Sequence, residues 1–406
     1  MPAVPPIFND DRLRTPQCGR PKIILGITNA QTCLVLGGRP RTLREAGFDV
    51  TIVSSPGVLL DELARSEGVK TIAISMERQP APLRDLISFV KLWLLLRKIR
   101  PDTVEFSTPK AGLLGMLAAW CARVPHRVYL LRGLKLETAV GWKRRMLWAA
   151  EWTAAACSHV ALCTSASLQL NAAALRIAPP EKLRLLGEGS SVGVDTRRFS
   201  PGSSDVREIS GIPRGSLVLG FVGRLTQDKG LPELITAFEV LLFAYPEARL
   251  LLVGWFDEAE DSLDVQMRER ILLHPRMICT GFVSDTAPYY RAMDILILPT
   301  LREGFPNAVL EASASGVPVI TTLSTGARDA VVPGVTGLLV PPGNADAIVE
   351  AAARLMGDAG SRRRMGRAGR EWVLQHFDRE GVLRENVEFY RDLFKQGPSS
   401  GHQLKD

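Results

Sequence analysis

The sequence predicts an α/β protein built from two tandem Rossmann-like domains, each a doubly wound parallel sheet, with a cleft between them. Two series of short apolar segments alternate with helical segments, which is typical of parallel sheets covered on both faces. A glycine- and serine-rich stretch at 187–202 separates the two series and suits a linker. A chain of 406 residues is long enough for two domains that each bury a core.

The first series defines a predicted N-terminal domain at residues 21–200, after a proline-rich flexible tail at 1–20. Gly47 suits the stop of its first helix, and a second helix is predicted near Leu83–Arg100. The predicted strands are Lys22–Ile27, Asp49–Ser54, Lys70–Ile74, Thr103–Phe106, His126–Leu131 and His159–Cys163.

The second series defines a predicted C-terminal domain at residues 201–378. An amphipathic helix at 379–396 is expected to pack back on the first domain, and 397–406 form a second tail. The predicted strands are Leu217–Val222, Arg249–Val253, Met277–Thr280, Ile295–Pro299, Pro318–Thr321 and Gly337–Val340. The predicted helices are Leu231–Ala244, Ser262–Leu273, Asn307–Ala314, Ala345–Gly357 and Ser361–His376.

Composition excludes several classes of protein. A hydrophobic share of 46% and a charged share of 23% are those of a globular chain. No apolar run approaches the roughly 18 residues of a membrane span, and the N-terminus lacks the apolar region of a secretory signal. The six cysteines form no C-x-x-C pair, so reduced thiols are expected, not a zinc site. These features predict a cytoplasmic protein.

The charge of the chain is unevenly distributed. Residues 1–200 carry 28 basic and 16 acidic side chains, a net charge of +12, whereas residues 201–406 carry 22 and 27, a net charge of −5. A basic half favours an anionic partner such as phospholipid, a polyprenyl phosphate or nucleic acid. Nucleic-acid binding is not expected, because the basic residues lack interleaved aromatic side chains.

The segment E-G-F-P-N-A-V-L-E at 303–311 carries the strongest chemical signal. It lies between a predicted strand and a predicted helix, so the backbone of Gly304, Phe305, Pro306 and Asn307 would form a helix N-terminus that can bind a diphosphate. The carboxylate of Glu311 could accept hydrogen bonds from two ribose hydroxyls. Glu303 would face the cleft, where it could contact sugar hydroxyls.

The segment G-R-L-T-Q-D-K-G at 223–230 carries the second signal. Arg224 and Lys229 would both lie at the carboxyl end of a strand, where two cations can neutralise a diphosphate as its sugar leaves. Gly223 and Gly230 permit the tight turns that such a loop needs.

Together these segments resemble the hallmarks of glycosyltransferase family 4, whose members have the two-lobed GT-B fold. The resemblance implies that Arg224 and Lys229 hold the donor diphosphate, that Glu311 holds the ribose and that Glu303 holds the transferred sugar. It also implies that the backbone of Val283 lies beside the base. Weaker matches are Gly193–Pro201, Thr280–Val283 and Pro109–Gly115. The two in the first domain are similar to members that act in capsule, exopolysaccharide or lipopolysaccharide assembly.

The first domain departs from the family pattern. Glu105 and Arg132 stand where histidines are often found, and the first strand–helix loop around Asn29 lacks the usual double glycine. Lys110 is a further candidate for the cleft. These four residues are the candidates for the acceptor side, and a lipid-linked or glycan acceptor is expected from the basic first domain and the resemblance.

The resemblance also implies transfer with retention of anomeric configuration. The donor substrate would be a nucleotide-diphosphate sugar, and no other cofactor is expected. The chain contains no D-x-D triplet, so no metal–diphosphate bridge is expected either.

Three alternatives stay open on sequence grounds. A nucleotide-sugar epimerase of the same architecture is the nearest, and a non-enzymatic sugar-binding protein is another. An NAD or FAD enzyme would need G-x-G-x-x-G after a first strand, and neither domain has it.

Membrane contact is a further hypothesis. The apolar stretch Leu86–Leu96 is flanked by basic residues, and Trp142–Arg145 is an aromatic and basic cluster. Both could dock on an anionic leaflet, which would place the protein peripherally on the inner face of the membrane. An apolar helix that covers a parallel sheet would also explain the first stretch.

Overall fold

The computed structural model describes residues 19–77, 79–257 and 261–395. Nearly all of the predicted tail at 1–20, and the whole of the tail at 397–406, lie outside these described residues.

Lobe one, residues 21–200, is built on a parallel sheet of seven strands in the order β3-β2-β1-β4-β5-β6-β7. The chain reverses its direction of winding between β1 and β4, which makes the gap between these strand ends the switch point. The strands are β1 Lys22–Gly26, β2 Asp49–Ser54, β3 Lys70–Ala73, β4 Thr103–Ser107, β5 His126–Leu131, β6 Val160–Cys163 and β7 Leu183–Leu185.

Helices cover both faces of this sheet. Helices α3, α4 and α5 pack side by side on one face, and α1, α2 and the C-terminal helix pack on the other. The helices are α1 Arg39–Glu45, α2 Val58–Glu67, α3 Pro82–Ile99, α4 Pro109–Cys121, α5 Gly141–Cys157 and α6 Ala166–Ala174, with short 3₁₀ helices at Ala30–Leu36, Lys135–Glu137 and Pro180–Lys182.

Lobe two repeats the plan with six parallel strands in the order β10-β9-β8-β11-β12-β13, so its switch point lies between β8 and β11. The strands are β8 Val218–Val222, β9 Arg249–Val253, β10 Met277–Cys279, β11 Ile295–Leu298, β12 Val319–Thr322 and β13 Gly337–Val340. The helices are α7 Val206–Ile209, α8 Leu231–Ala244, α9 Val265–Leu273, α10 Ala287–Ala292, α11 Asn307–Ala314, α12 Ala345–Gly357 and α13 Ala359–His376, with 3₁₀ helices at Gln227–Lys229 and Arg328–Ala330.

Local chemistry explains these elements and their ends. Every residue of β8, β9 and β11 is buried, as expected of parallel strands covered on both faces. Helix α9 starts at Val265, later than predicted, because the Asp264 carboxylate accepts a hydrogen bond from the Met267 amide and caps the helix there.

The C-terminal helix α14, Arg379–Lys395, returns to lobe one. The chain crosses between the lobes where the Val194 amide donates to the Phe377 carbonyl at 2.8 Å. In lobe one, Tyr390 is fully buried and the Phe394 ring stacks on Phe48 with centroids 5.6 Å apart. Burial of these aromatic rings anchors the end of the chain to the first sheet.

The carboxyl edges of the two sheets face each other and touch. A Cβ built on Gly304, after β11, would lie 2.4 Å from the carbonyl of Arg132, after β5. At the next pair of strand ends, the Ser167 amide donates to the Asp329 carboxylate at 2.9 Å. The predicted architecture is confirmed. No helix in the described part of the chain is long and apolar enough to span a bilayer.

Candidate functional site

The two predicted motifs meet at the switch point of lobe two. Arg224 and Lys229 follow β8, and Glu303 follows β11, the neighbouring strand of the sheet. The carboxyl ends of two strands that diverge in this way open a crevice in which such folds bind ligands. The crevice faces lobe one.

Lys229 and Glu303 are in direct contact. The Lys229 ammonium donates a short hydrogen bond to Oε1 of Glu303, and both side chains are mostly buried. Gly230 makes the approach possible, because it has a φ of +73° and a Cβ there would lie 2.1 Å from the Pro299 carbonyl oxygen. The structure thus joins the two motifs through a single ion pair.

Arg224 is held by a carboxylate from the next strand. Its Nη1 donates to Oδ2 of Asp257, which follows β9, at 2.5 Å. The loop backbones pack closely here, since a Cβ on Gly254 would lie 1.8 Å from the Gly223 carbonyl oxygen. Gly223 itself, with a φ of +151°, donates its amide to the Val253 carbonyl. Both donor-side cations are therefore fixed in the crevice by carboxylates.

Helix α11 begins at Asn307, and Pro306 is the residue just before it. The first amides of a helix have no carbonyl partner within it, so Asn307 and Ala308 can donate to an anion. Pro306 has no amide proton and cannot contribute. Gly304 is buried against lobe one, and the Phe305 ring packs on Phe377 with centroids 5.2 Å apart, which fixes the start of the helix.

Glu311 lies in the second turn of α11. The Tyr290 hydroxyl donates to its Oε2 at 2.8 Å. Burial raises the pKa of Glu311 to about 7, against a smaller lowering effect of the Tyr290 hydrogen bond. The carboxylate is thus positioned for hydroxyl donors and ionises only near neutral pH.

Val283 follows β10 and packs on the lobe-two core. Its loop is tied to the end of β9 by a bridge between Gly281 and Gly254. The backbone of Val283 therefore lies on the same edge of the sheet as the cation loop.

Arg132 lies at the end of β5, where lobe one meets Gly304. Its Nη1 donates to Ser191 Oγ at 3.0 Å, but its Nε and Nη2 are buried without a hydrogen-bond partner. Burial lowers the pKa of Arg132 to about 10, although Glu105 opposes the effect. A buried guanidinium with two free donor groups is suited to bind an anion.

The structure corrects the expectation for Glu105. Its carboxylate is turned into lobe one, where it receives hydrogen bonds from Arg39 Nη1 at 2.6 Å and from the Tyr390 hydroxyl at 2.5 Å. Burial alone would raise its pKa, but Arg39 lowers the pKa below the ordinary value. Glu105 is enclosed because β4 places it mid-strand, beneath α1 and α14. It therefore does not face an acceptor.

Lys110 and Asn29 lie at the switch point of lobe one, but both are engaged within the lobe. Lys110 Nζ contacts both carboxylate oxygens of Asp85, at 2.7 and 3.0 Å. The Asn29 side chain accepts from the Thr32 amide and caps the 3₁₀ helix. Their roles toward an acceptor remain predictions.

Sequence reasoning missed the partners of the donor-side residues. Asp257 and Tyr290 hold Arg224 and Glu311, and Arg302 bonds Asp228 beside Lys229. Asp257 could have been found, because it follows β9, the strand next to β8, and so lies near the loop that carries Arg224. Tyr290 lies within α10, and no local pattern marks it.

Metal ligands are not gathered at the site. Within residues 19–77, 79–257 and 261–395, no three His, Cys, Asp or Glu side chains cluster as a metal site would require.

Comparison with known proteins agrees with this geometry. The family model "Glycosyl transferases group 1" matches residues 203–372, and "Glycosyl transferase 4-like domain" matches residues 41–189. The capsular polysaccharide biosynthesis glycosyltransferase CapM of Staphylococcus aureus is 35% identical over 92% of this chain and 98% of its own. An Escherichia coli α-1,3-galactosyltransferase that acts on GlcNAc-diphosphoundecaprenol is 27% identical over 77% of this chain and 81% of its own.

Solved structures show the same fold. Sucrose-phosphate synthase from Thermosynechococcus elongatus superposes with a TM-score of 0.77 at 21% identity, over 93% of this chain and all of its own. Anabaena HepE in complex with UDP-glucose gives 0.75 at 20% identity, over 91% and 99%. Two facing Rossmann-like lobes with a crevice between them form the GT-B fold, and the family models and relatives assign glycosyl transfer to it. The chain belongs to the GT-B glycosyltransferases, and it is a hexosyltransferase.

Proposed function

We propose that this enzyme is a retaining member of glycosyltransferase family 4 that moves a hexose from a nucleotide-diphosphate sugar to a hydroxyl of a lipid-linked or polysaccharide acceptor. The observation that carries the proposal is the contact between Lys229 and Glu303 at the switch point of lobe two. It brings a cation for a pyrophosphate and a carboxylate for sugar hydroxyls to one place, facing the other lobe.

The donor would lie along the carboxyl edge of lobe two. Its pyrophosphate would meet Arg224, Lys229 and the first amides of α11, while its ribose hydroxyls would donate to Glu311. Because each cation contacts a carboxylate, the pyrophosphate would displace Glu303 from Lys229 and free that carboxylate for the sugar. Anabaena HepE, whose structure holds UDP-glucose, supports a nucleotide sugar as the ligand.

The chemical step needs no oxidant or reductant. The bond between the anomeric carbon and the phosphate oxygen breaks, and the nucleoside diphosphate leaves with the electron pair. The acceptor oxygen forms a bond to the same carbon from the same face, and its proton passes to the departing phosphate. Arg224, Lys229 and the helix amides stabilise the charge that develops on the leaving group.

Retention is supported by the chemistry of lobe one. An inverting enzyme needs a general base on the face of the sugar opposite the leaving group. Of the four acceptor-side candidates, Lys110 and Arg132 are cations, and Asn29 is an amide. Glu105, the carboxylate among them, is enclosed by Arg39 and Tyr390.

Arg132 is the acceptor-side residue that we propose binds an anion. Arg224, Lys229 and Lys110 each contact a carboxylate, whereas Nε and Nη2 of Arg132 are buried and unpaired. The phosphate of a lipid-linked acceptor would satisfy both groups. The E. coli relative, which acts on a diphosphoundecaprenol-linked sugar, supports this acceptor class, and CapM supports a role in capsule assembly.

The proposed reaction is independent of metal and takes place at the membrane. The reaction would need no metal, because the cations and helix amides neutralise the diphosphate, and EDTA should leave the rate unchanged. The enzyme would work in the cytoplasm, peripherally on the inner face of the membrane, where nucleotide sugars and lipid-linked acceptors meet.

The test has two stages. A thermal-shift screen of nucleotide diphosphates and their sugars identifies the donor, because a ligand that binds the folded state raises Tm. Transfer to a synthetic polyprenyl-diphosphate sugar is then followed by NMR that resolves the anomers. Retention in the presence of EDTA is expected. An inverted product, or a requirement for a divalent metal, would contradict the proposal.

A nucleotide-sugar epimerase is the weaker alternative. An epimerase from Listeria monocytogenes shares the fold with a TM-score of 0.64 at 14% identity, which concerns the fold alone. Incubation of the donor without acceptor separates the two activities, since only an epimerase would produce a new nucleotide sugar.

A further inference from the structure

Lobe one exposes an apolar stripe along helix α3. Leu92 and Leu96 are buried and form the face of this helix that packs on the sheet. The opposite face carries a second apolar set at helical spacing, Leu83, Leu86, Ile87, Val90 and Leu94, with exposures of 80, 59, 54, 40 and 53%. Packing on the sheet explains why the inward residues are apolar but not why the outward ones are. A contiguous stripe of exposed apolar residues is typical of an interaction surface.

Helix α5 carries a second group of exposed apolar residues at its N-terminal end. Val140, Trp142 and Met146 lie at or near its start, with exposures of 82, 75 and 37%. Helices α3 and α5 follow the carboxyl ends of β3 and β5, and α4 packs between them. Their first turns therefore lie at the edge of lobe one that faces the crevice, with Lys110 of α4 in the middle.

The exposed charge on these three helices is positive. The three helices contain eight basic residues and two acidic ones, Asp85 and Glu151. Asp85 is bonded to Lys110, and Glu151 is buried against the Tyr129 hydroxyl. The exposed basic residues beside the apolar groups include Lys91, Arg97, Lys98, Arg144 and Arg145.

We propose that the outward faces of α3 and α5 dock lobe one on an anionic lipid bilayer. The leucines and Trp142 would enter the boundary between headgroups and acyl chains, and the surrounding Lys and Arg would contact lipid phosphates. The surface ends at the crevice edge, so docking would hold the mouth of the site at headgroup height. A lipid-linked phosphate could then reach Arg132 without leaving the bilayer.

The test is flotation of the full chain with vesicles, without donor or acceptor, so that its outcome is independent of the proposed transfer reaction. Binding is expected to phosphatidylcholine vesicles that contain phosphatidylglycerol, and it should weaken with added salt. The double variant Leu83→Ser/Trp142→Ser should lower vesicle affinity at least about tenfold, and Arg144→Gln/Arg145→Gln at least about fivefold.

The matched control is Phe243→Ser/Leu273→Ser, which removes two apolar residues of lobe two that are 91 and 81% exposed. This variant should bind vesicles like the unchanged protein. Circular dichroism and Tm verify that every variant is folded. No vesicle binding, or equal loss in the control, overturns the proposal. A dimer that only Leu83→Ser/Trp142→Ser dissociates, without vesicle binding, would overturn it in favour of a second copy of the chain.

Discussion

At the scale of single residues, the proposed donor site consists of cations and carboxylates that come from different strand ends. Lys229 and Glu303 are 74 positions apart in the chain, and Arg224 and Asp257 are 33 apart. Each ion pair is partly buried, so its members are ordered before any ligand arrives. Once the pyrophosphate has replaced the carboxylates as their partner, cations held in this way can stabilise the charge of the leaving group.

Lys229→Ala tests this role directly. Removal of one preorganised cation should lower kcat/KM by about 100-fold or more, because the charge on the departing diphosphate loses a partner. Arg270→Ala, which breaks an ion pair with Glu239 on the surface of lobe two, is the matched control and should stay within about twofold. Steady-state kinetics with the identified donor measure both. Similar rates for the two variants would refute the role.

Glu311 gives the site a pH dependence. Burial raises its pKa to about 7, and the proposal has the ionised form accept ribose hydroxyls, so nucleotide affinity should rise as pH increases through 7. Between about pH 6 and about pH 8 the gain should be about tenfold by calorimetry. Glu311→Gln should retain only the pH dependence of the ligand itself. A Glu311→Gln profile identical to that of the unchanged protein would exclude this carboxyl group.

At the scale of elements, glycines decide how closely loops and helices approach in the crevice. Gly230 and Gly334 have nearly the same positive φ, +73° and +75°. A Cβ on Gly230 would overlap the Pro299 carbonyl oxygen, whereas a Cβ on Gly334 meets nothing within 4 Å. Alanine at Gly334 would therefore introduce backbone strain alone, whereas alanine at Gly230 would introduce the same strain and a steric overlap.

Gly230→Ala should destabilise lobe two far more than Gly334→Ala. Strain alone costs about 1 kcal/mol, and the overlap with Pro299 should add about 2 kcal/mol or more. Calorimetric Tm values of the two variants provide the comparison. Equal losses would mean that the loop before α8 shifts freely, contrary to the packing described above.

Much of the secondary structure could be predicted from the sequence. Buried or mostly buried parallel strands are rich in apolar residues, and β2, β5, β9 and β13 have the predicted bounds. Helix α9 began later than predicted because its start depends on the cap at Asp264. Strand β7, Leu183–Leu185, was missed because Arg184 interrupts its few apolar residues, whereas β10 is as short but apolar throughout.

At the scale of the whole molecule, a buried polar cluster joins helices that lie near opposite ends of the described chain. Arg39 of α1, Glu105 of β4 and Tyr390 of α14 bond one another, and all three are almost completely buried. Arg39 and Tyr390 are 351 positions apart, so no local pattern could reveal the cluster. The same distance explains why Glu105 was mistaken for an acceptor-side residue.

The cluster should contribute strongly to the stability of lobe one. Glu105→Gln leaves a buried guanidinium without a counter-charge and should cost about 3–5 kcal/mol. Tyr390→Phe removes only a hydroxyl and should cost about 1–2 kcal/mol. Denaturant unfolding monitored by fluorescence gives both values. A Glu105→Gln protein as stable as the unchanged one would show that the pair is dispensable.

The central claim is that Arg224, Lys229 and the start of α11 clamp a donor pyrophosphate at the switch point of lobe two. A crystal structure with a nucleoside diphosphate, identified by the thermal-shift screen, tests it most directly. The account predicts phosphate oxygens within hydrogen-bonding distance of both cations and of the Asn307 amide, with the ribose hydroxyls on Glu311. A diphosphate bound at the β1–β4 switch point of lobe one, with Lys229 still on Glu303, would contradict it.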